Sequence, residues 1–489
     1  MRNTDKTAQK EVAIQRTKYP SNNPCLFKSQ KDPSQGKEKK MNKRVLKIAG
    51  VLALVLVLTA CTSAATPAVV TQMVNGTPQV ITATTAPTQN PYDETAPVTV
   101  WIDQDRQPYI DAYKKANPDK ASLIKEVIVD REQFPAKVLL FNNTGQGWPD
   151  VVFAEPRLVA RVADAAHQFP LDLKPWVPAD ILNNYDGMAG CTFGDKVYCV
   201  RNDLAQYVLY YDKPLMDKFG YTVPTTWEEY QALSDKVAAE HPGYLLGTLG
   251  DGWTWLSFFD GSSCPSHLVM DASTLKINMA DPNCTRAAKM VDHMIANKTL
   301  WNTDYFDATF VQQMNDNKVL MVSMASWAWG VFNGTYYKTP NHQVGVAAPL
   351  KWSSEPAAVD VAMGGSAWAV SSHTKNPKLA TDLIVWLTTN TDLWSTLENW
   401  PAYKPNQALF QKQVSSNAIF ATDPFPAMQA AASLLGPLDV WPRFDLIAPL
   451  SQVVKGAYQD KKTMEDVLSQ VSDKFSPLAQ TEGYNVVTQ

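Results

Sequence analysis

The chain reads as an α/β protein built on a parallel sheet with helices on its faces. Two observations predict this. Between Val98 and Phe153, short β-branched runs alternate with amphipathic stretches in the order strand, helix, strand, helix, strand. That order is the signature of parallel strands joined by crossover helices. Once a 60-residue leader is set aside, 429 residues remain from Cys61 to Gln489, enough to bury two sizeable cores.

The elements follow in order. Val98-Thr99-Val100-Trp101-Ile102 is a strand pattern. An amphipathic helix near 109–116 stops at Asn117-Pro118. A strand over 123–129 and a helix around 134–142 precede Pro149-Asp150-Val151-Val152-Phe153, a short buried strand. Gly194-Asp195 has the composition of a hairpin turn. Gly250-Asp251-Gly252-Trp253-Thr254-Trp255 reads as a Gly-rich loop before an apolar run. Thr226, with Glu229 three residues on, forms a capping box that opens a helix. Residues 378–388 place Leu379, Leu383, Trp386 and Leu387 on one helical face, and Thr463 to Asp466 open a last helix. No internal repeat is present.

Lys39, Lys40, Lys43, Arg44 and Lys47 precede a thirteen-residue apolar run from Ile48 to Ala60. A basic flank, an apolar segment and a small-residue cut site make a secretory signal peptide. Thirteen helical residues rise only about 20 Å, short of a bilayer core of about 30 Å, so the run does not span. Met41 is a better start for this signal than Met1, which leaves residues 1–40 upstream of the natural beginning. Leu58-Thr59-Ala60-Cys61 resembles the bacterial lipobox, which implies lipid on Cys61 and cleavage just before it. Residues 61–97 turn to Thr, Ala, Pro, Ser and Gln and read as a flexible tether.

Taking the 13 Lys+Arg and 4 Asp+Glu of residues 1–60 from the chain's 44 and 48 leaves 31 and 44, a net −13 for the exported part. An acidic surface repels phosphate backbones, so nucleic acid is not an expected partner. Fifteen Trp and eighteen Tyr exceed what a core alone asks for and point to flat, apolar ligand faces. Four cysteines follow Cys61. We expect two local disulfides, Cys191 with Cys199 and Cys264 with Cys284, against a zinc site, which would want closer ligand spacing. No metal and no cofactor is expected. No Gly-x-Ser-x-Gly, His-Glu-x-x-His or phosphate-binding glycine loop is present, so the chain carries no familiar catalytic constellation.

Four segments, in order, carry a family resemblance. They are Trp148-Pro149-Asp150-Val151-Val152; Tyr207 to Lys213 with Gly220 to Tyr230; Lys318 to Trp327; and Met363-Gly364-Gly365-Ser366 to Val370. Together they resemble the extracellular solute-binding proteins of bacterial ABC importers, and within them the carbohydrate-binding group typified by maltodextrin-binding protein. Asn317 departs from the pattern, which usually has Gly there. The resemblance implies two α/β lobes, a hinge and an interlobe ligand cleft, with no chemistry performed. By position the first lobe takes 98–203 and 368–423, and the second takes 204–367 and 424–489. The crossings fall near 202–206, 364–367 and 422–427. The implied partners are a carbohydrate, the transmembrane subunits of a permease and a membrane through the lipid, with the protein itself a monomer.

A sugar offers an apolar ring face and a rim of hydroxyls, so its site needs aromatic platforms and side chains that donate and accept. Strand ends face such a cleft. Asp103 and Gln104 follow the first strand, and Glu155 and Arg157 follow the Pro-Asp-Val-Val strand. Asp203 and Gly365 sit at the crossings. Trp327 occupies the turn that carries a stacking tryptophan in the maltodextrin binder; Trp253, Trp255, Trp400, Tyr403, Trp441 and Arg443 are further cleft candidates. Trp227, Trp329 and Trp386 read as structural. Two alternatives stand beside this reading: a lipid-anchored glycoside hydrolase with paired carboxylates, and a binder of the same fold for a peptide, polyamine or ferric iron.

Overall fold

The computed structural model describes residues 69–74, 77–82, 92–164, 167–332, 334 and 336–488. The expected signal peptide, Met41 and Cys61 lie outside the described residues. The described residues fall into two units, those of 69–82 in the first and those of 92–488 in the second. In the first, Val69–Val74 pairs antiparallel with Thr77–Thr82, Val74 opposite Thr77. The expected tether therefore contains regular structure. The reason is in its residues: Val69-Val70-Thr71 and Val80-Ile81-Thr82 are β-branched, and Asn75-Gly76 between the two runs is the sequence signature of a tight hairpin.

The second unit has two lobes, each on its own sheet. The larger sheet has five strands in the spatial order Ile124–Ile128, Val98–Ile102, Val151–Ala154, Ala367–Val370, Val200–Arg201. The first three run parallel, as their alternation with helices requires, and Ala367–Val370 runs antiparallel to both its neighbours. Side chains alternate between two cores. Val98, Val100, Ile102, Val151, Phe153 and Trp368 meet Tyr109, Ile110 and Tyr113 of helix Gln107–Ala116 on one face. Trp101, Val152, Ala154 and Ala369 meet Phe134 and Val138 of helix Phe134–Thr144 on the other.

The smaller sheet centres on Tyr207–Asp212, flanked antiparallel by Met321–Ala325 and Val344–Ala347. Helices Trp227–Glu240, Gly252–Phe259, Pro282–Ala296, Ile447–Asp460 and Met464–Thr481 belong to this half. The expected capping box forms: the Thr226 side chain accepts from Glu229 N, and Glu229 accepts from Thr226 N. Asn317 has φ +53°, a left-handed conformation that Asn tolerates better than most side chains, which is how it stands in for glycine.

The segment read as a Gly-rich loop before Trp253 is a helix start instead. Asp251 caps it by accepting from Thr254 N at 2.9 Å. Its glycines serve packing: a Cβ on Gly250 would lie 2.1 Å from the carbonyl carbon of Thr303, and one on Gly252 2.6 Å from Ile447 O.

Both local disulfides form. Cys191–Cys199 closes the small hairpin Thr192–Phe193 with Lys196–Val197, and Cys264–Cys284 ties a loop to the first turn of Pro282–Ala296. These bonds use all four cysteines among the described residues.

The lobes are joined where residues 202–207 run antiparallel to 361–366. Asn202 N donates to Ser366 O at 2.8 Å and Met363 N to Ala205 O at 2.9 Å. Ala205, Gly364 and Gly365 all have positive φ there. His342 N donates to Ala418 O at 2.7 Å and Ala421 N to Val344 O at 2.8 Å, which puts 418–421 beside the smaller sheet.

Candidate functional site

The C-terminal ends of the three parallel strands converge on one edge, where ligands bind in open α/β sheets. Each strand delivers ionised side chains there. Asp103 follows the first, Arg131 and Glu132 the second, Glu155 and Arg157 the third. They form one alternating chain. Arg106 lies 3.8 Å and Arg131 3.7 Å from Asp103. Arg131 reaches Glu155 at 3.0 Å, Arg157 Nε donates to the other Glu155 oxygen at 2.6 Å, and Arg157 Nη2 donates to Glu132. Glu155 and Arg157 are buried. Burial works against the Arg157 charge, but the Glu155 and Glu132 carboxylates outweigh it and hold the guanidinium above its ordinary pKa. Three carboxylates and three guanidiniums cancel, so the chain is neutral as a whole while presenting both donors and acceptors.

The second lobe brings an indole to this edge. Trp253, on the first turn of Gly252–Phe259, lies under the Arg157 guanidinium at 5.6 Å, a cation–π contact. Tyr207 Oη donates to Trp253 O at 2.6 Å, and Trp441 meets the ring edge-on at 6.0 Å. A cavity of about 510 Å³ lies between the lobes, lined by Glu132 and Arg157 on one side and by Trp253, Ile447, Ser451 and Lys455 on the other. That volume suits a small-molecule ligand, and its walls combine an aromatic face with fixed polar groups.

The candidates separate clearly. Glu155, Arg157 and Trp253 come together, with Asp103 linked through Arg131. Trp327 is half-buried, its Nε1 donating to Met363 O at 3.4 Å and its plane parallel to Phe306 at 6.3 Å. Gln104 is exposed. Trp255 is fully buried and stacked on Phe259 at 3.6 Å, and Trp400 is fully buried and stacked on Phe425; both are core. Tyr403 packs against Tyr185 at 5.1 Å, and Trp441 is buried behind Trp253. Asp203 accepts from Ser366 N and from Asn399 Nδ2, fastening the crossing. Gly365 approaches protein backbone: a Cβ there would sit 2.6 Å from Leu204 O. Arg443 donates to Ala272 O and Glu482 O and lies over Tyr484, holding the final strand. Sequence reasoning missed Arg106, Arg131 and Glu132. The signal for the last two was present, since Asp130-Arg131-Glu132 follows its strand as Asp103 and Glu155 follow theirs.

Residues 108–422 match the family described as bacterial extracellular solute-binding protein. The chain belongs to that family. As an extracellular solute-binding protein it works outside the cytoplasm, on the two-lobed fold that its four motifs implied. It is 29% identical over 262 residues to a probable ABC transporter-binding protein of Deinococcus radiodurans, covering 49% of this chain and 57% of that one. The matched stretch is thus little more than half of that relative's length. It is 23% identical over 304 residues to the multiple sugar-binding protein of Streptococcus mutans, covering 57% and 70%. In fold it is similar to the galacto-N-biose-/lacto-N-biose I-binding protein of an ABC transporter from Bifidobacterium longum, solved with lacto-N-biose. The TM-score is 0.67 at 19% identity, over 81% of this chain and all of that one.

Proposed function

We propose that this solute-binding protein captures a neutral carbohydrate between its lobes and hands it to the transmembrane subunits of an ABC importer. It acts as a monomer, lipid-anchored at Cys61 on the outer face of the membrane. The first lobe takes 98–203 with 368–423 and the second takes 204–367 with 424–489, as read from the sequence. The observation that carries the reading is the alternating chain from Asp103 to Glu132 facing Trp253 across the cavity. Neutral in sum, it suits a ligand of many hydroxyls and no charge. The sugars named for the Streptococcus and Bifidobacterium proteins support the same class. A hydrolase would need one carboxylic acid in an unpaired, apolar setting, whereas Glu132 and Glu155 both pair with Arg157.

Thermal unfolding with a panel of mono- and oligosaccharides tests it. A ligand at one hundred times its Kd stabilises by about 2.7 kcal/mol. Arg157→Ala should then weaken binding of that sugar by about 10- to 150-fold, the effect of losing a charge-assisted hydrogen bond of about 1.5–3 kcal/mol. Glu155 keeps Arg131 as a partner in this variant, so the fold should persist. A sugar bound as tightly by Arg157→Ala as by wild type would remove the network from the site, and stabilisation by a peptide or polyamine alone would replace the ligand class.

For the anchor, Cys61→Ser in the full chain should move the protein from the membrane fraction to the soluble fraction. Membrane retention as firm as wild type would refute lipidation at that residue.

A further inference from the structure

A second cavity, of about 390 Å³, lies on the first lobe and shares no lining residue with the interlobe cavity. It is walled by the C-terminal half of helix Gln107–Ala116, by helix Pro377–Thr389 and by the turn around Trp176 and Pro178. Its volume falls within the range of about 300–1,000 Å³ typical of small-molecule sites.

Two half-buried indoles line it, Trp176 and Trp386. Trp386 meets Tyr113, and Trp176 meets Tyr92, at 5.3 Å and nearly perpendicular, so neither indole is stacked on another ring among the described residues. The helix pattern that marked Trp386 as structural accounts for its inner edge and leaves its lining of this cavity unexplained. Asn117 and Thr389 add uncharged polar groups. Asp382 is flanked by Lys378 at 2.9 Å and Lys120 at 3.9 Å, and Glu94 also acts on Lys378, so two carboxylates answer two ammonium groups at the rim.

The decisive group is Tyr113. It lines the cavity and is 1% exposed, yet its hydroxyl has no hydrogen-bond partner among the described residues. Buried hydroxyls are almost always paired, and one left unpaired at a cavity wall is a group waiting for a ligand. A charged ligand would find no unanswered charge at this rim. An extended peptide would want an unpaired strand edge, and these walls are helical. A pyranose supplies what is missing: a hydroxyl for Tyr113 and C–H faces for two indoles.

We propose that this cavity is a second saccharide site, taking one neutral pyranose unit, free or at the end of an oligosaccharide, with Tyr113 bound to a sugar hydroxyl and Trp176 and Trp386 against the ring. The site stands independently of the cleft. Fluorine NMR of the full chain labelled with 5-fluorotryptophan reads it directly, using maltose, lactose and gentiobiose as probes and Trp176→Phe and Trp386→Phe to assign the signals. Both signals should move on addition of sugar and saturate together, with a Kd of their own, distinct from that of the Trp253 signal. Tyr113→Phe should weaken that response about three- to tenfold, the effect of one neutral hydrogen bond. It should leave the melting temperature unchanged or raised, because the hydroxyl has no partner to lose, and leave the Trp253 response unaltered. Signals that stay fixed across the three sugars overturn the proposal, and so does an undiminished response in Tyr113→Phe. If these signals move while Trp253 stays silent, the second site stands and the cleft reading fails.

Discussion

Replacing Arg201 by methionine is expected to lower the unfolding free energy by about 3–5 kcal/mol, the effect of leaving a buried charge without its partner. Arg201 is fully buried, donates to Leu204 O at 3.0 Å and pairs with Asp439 at 3.4 Å. Gly190 and Gly365 make room for it: a Cβ on either would come within 3.3 Å or 2.8 Å of a guanidinium nitrogen. Asp439 is 2% exposed and has no other cation among its described ion pairs. The double variant Arg201→Met, Asp439→Leu should regain most of the loss, since it removes both charges.

The pH dependence has a definite sign. Burial lifts the Asp439 pKa from an ordinary 3.8 to about 6, with Arg201 pulling the other way. The folded chain therefore binds this proton more tightly than the unfolded chain between about pH 4 and pH 6, and the stability drawn from it is lost as pH rises through that window. Without Arg201 the folded pKa rises further and the loss continues above pH 6. Urea unfolding should show a smaller penalty for Arg201→Met at pH 5 than at pH 8. Equal penalties would show that Arg201 acts through packing alone.

Trp255→Ala should cost about 3–5 kcal/mol of stability, as emptying a core indole site does, and leave the affinity of the folded fraction near wild type. Trp253→Ala should do the reverse. Burying roughly 50–80 Å² of indole against a sugar face, at about 25 cal/mol per Å², gives about 1–2 kcal/mol, or ten- to thirtyfold in Kd. Calorimetric titration and melting curves on the two variants separate the residues. Loss of affinity in Trp255→Ala without loss of stability would reverse the assignment.

That pair also shows where sequence reading stopped. In a loop, Trp253 and Trp255 are equivalent candidates. On a helix, residues two apart point about 200° away from each other, so once Asp251 caps Gly252–Phe259, one indole faces the cleft and the other the core. The Gly-x-Gly spacing suggested a loop, and only the neighbouring Thr303 and Ile447 backbones reveal why glycine stands there. Glu155 and Arg157 could be read as strand-end residues because a short apolar strand announces its own end. Arg131 and Glu132 lie three and four residues beyond the end of Ile124–Ile128, and no local pattern shows that the chain turns them back towards Asp103 and Arg157. Trp400 and Arg443 failed as candidates for another reason. Their partners, Phe425 and Glu482, are distant in sequence, and no local pattern encodes such contacts. The fold was more legible, because each strand of the larger sheet before residue 155 announces its own periodicity.

The antiparallel strand of the larger sheet carries a consequence for synthesis. Phe153 is opposite Trp368, so the strand that covers Val151–Ala154 leaves the ribosome long after it. About 200 residues at 5–20 per second is on the order of 10–40 s. Through that interval the edge of Val151–Ala154 that Ala367–Val370 covers has no partner, while Cys191 and Cys199 are only 8 residues apart. Inserting a late strand between two earlier ones thus ties completion of the first lobe's sheet to synthesis of the chain through residue 370.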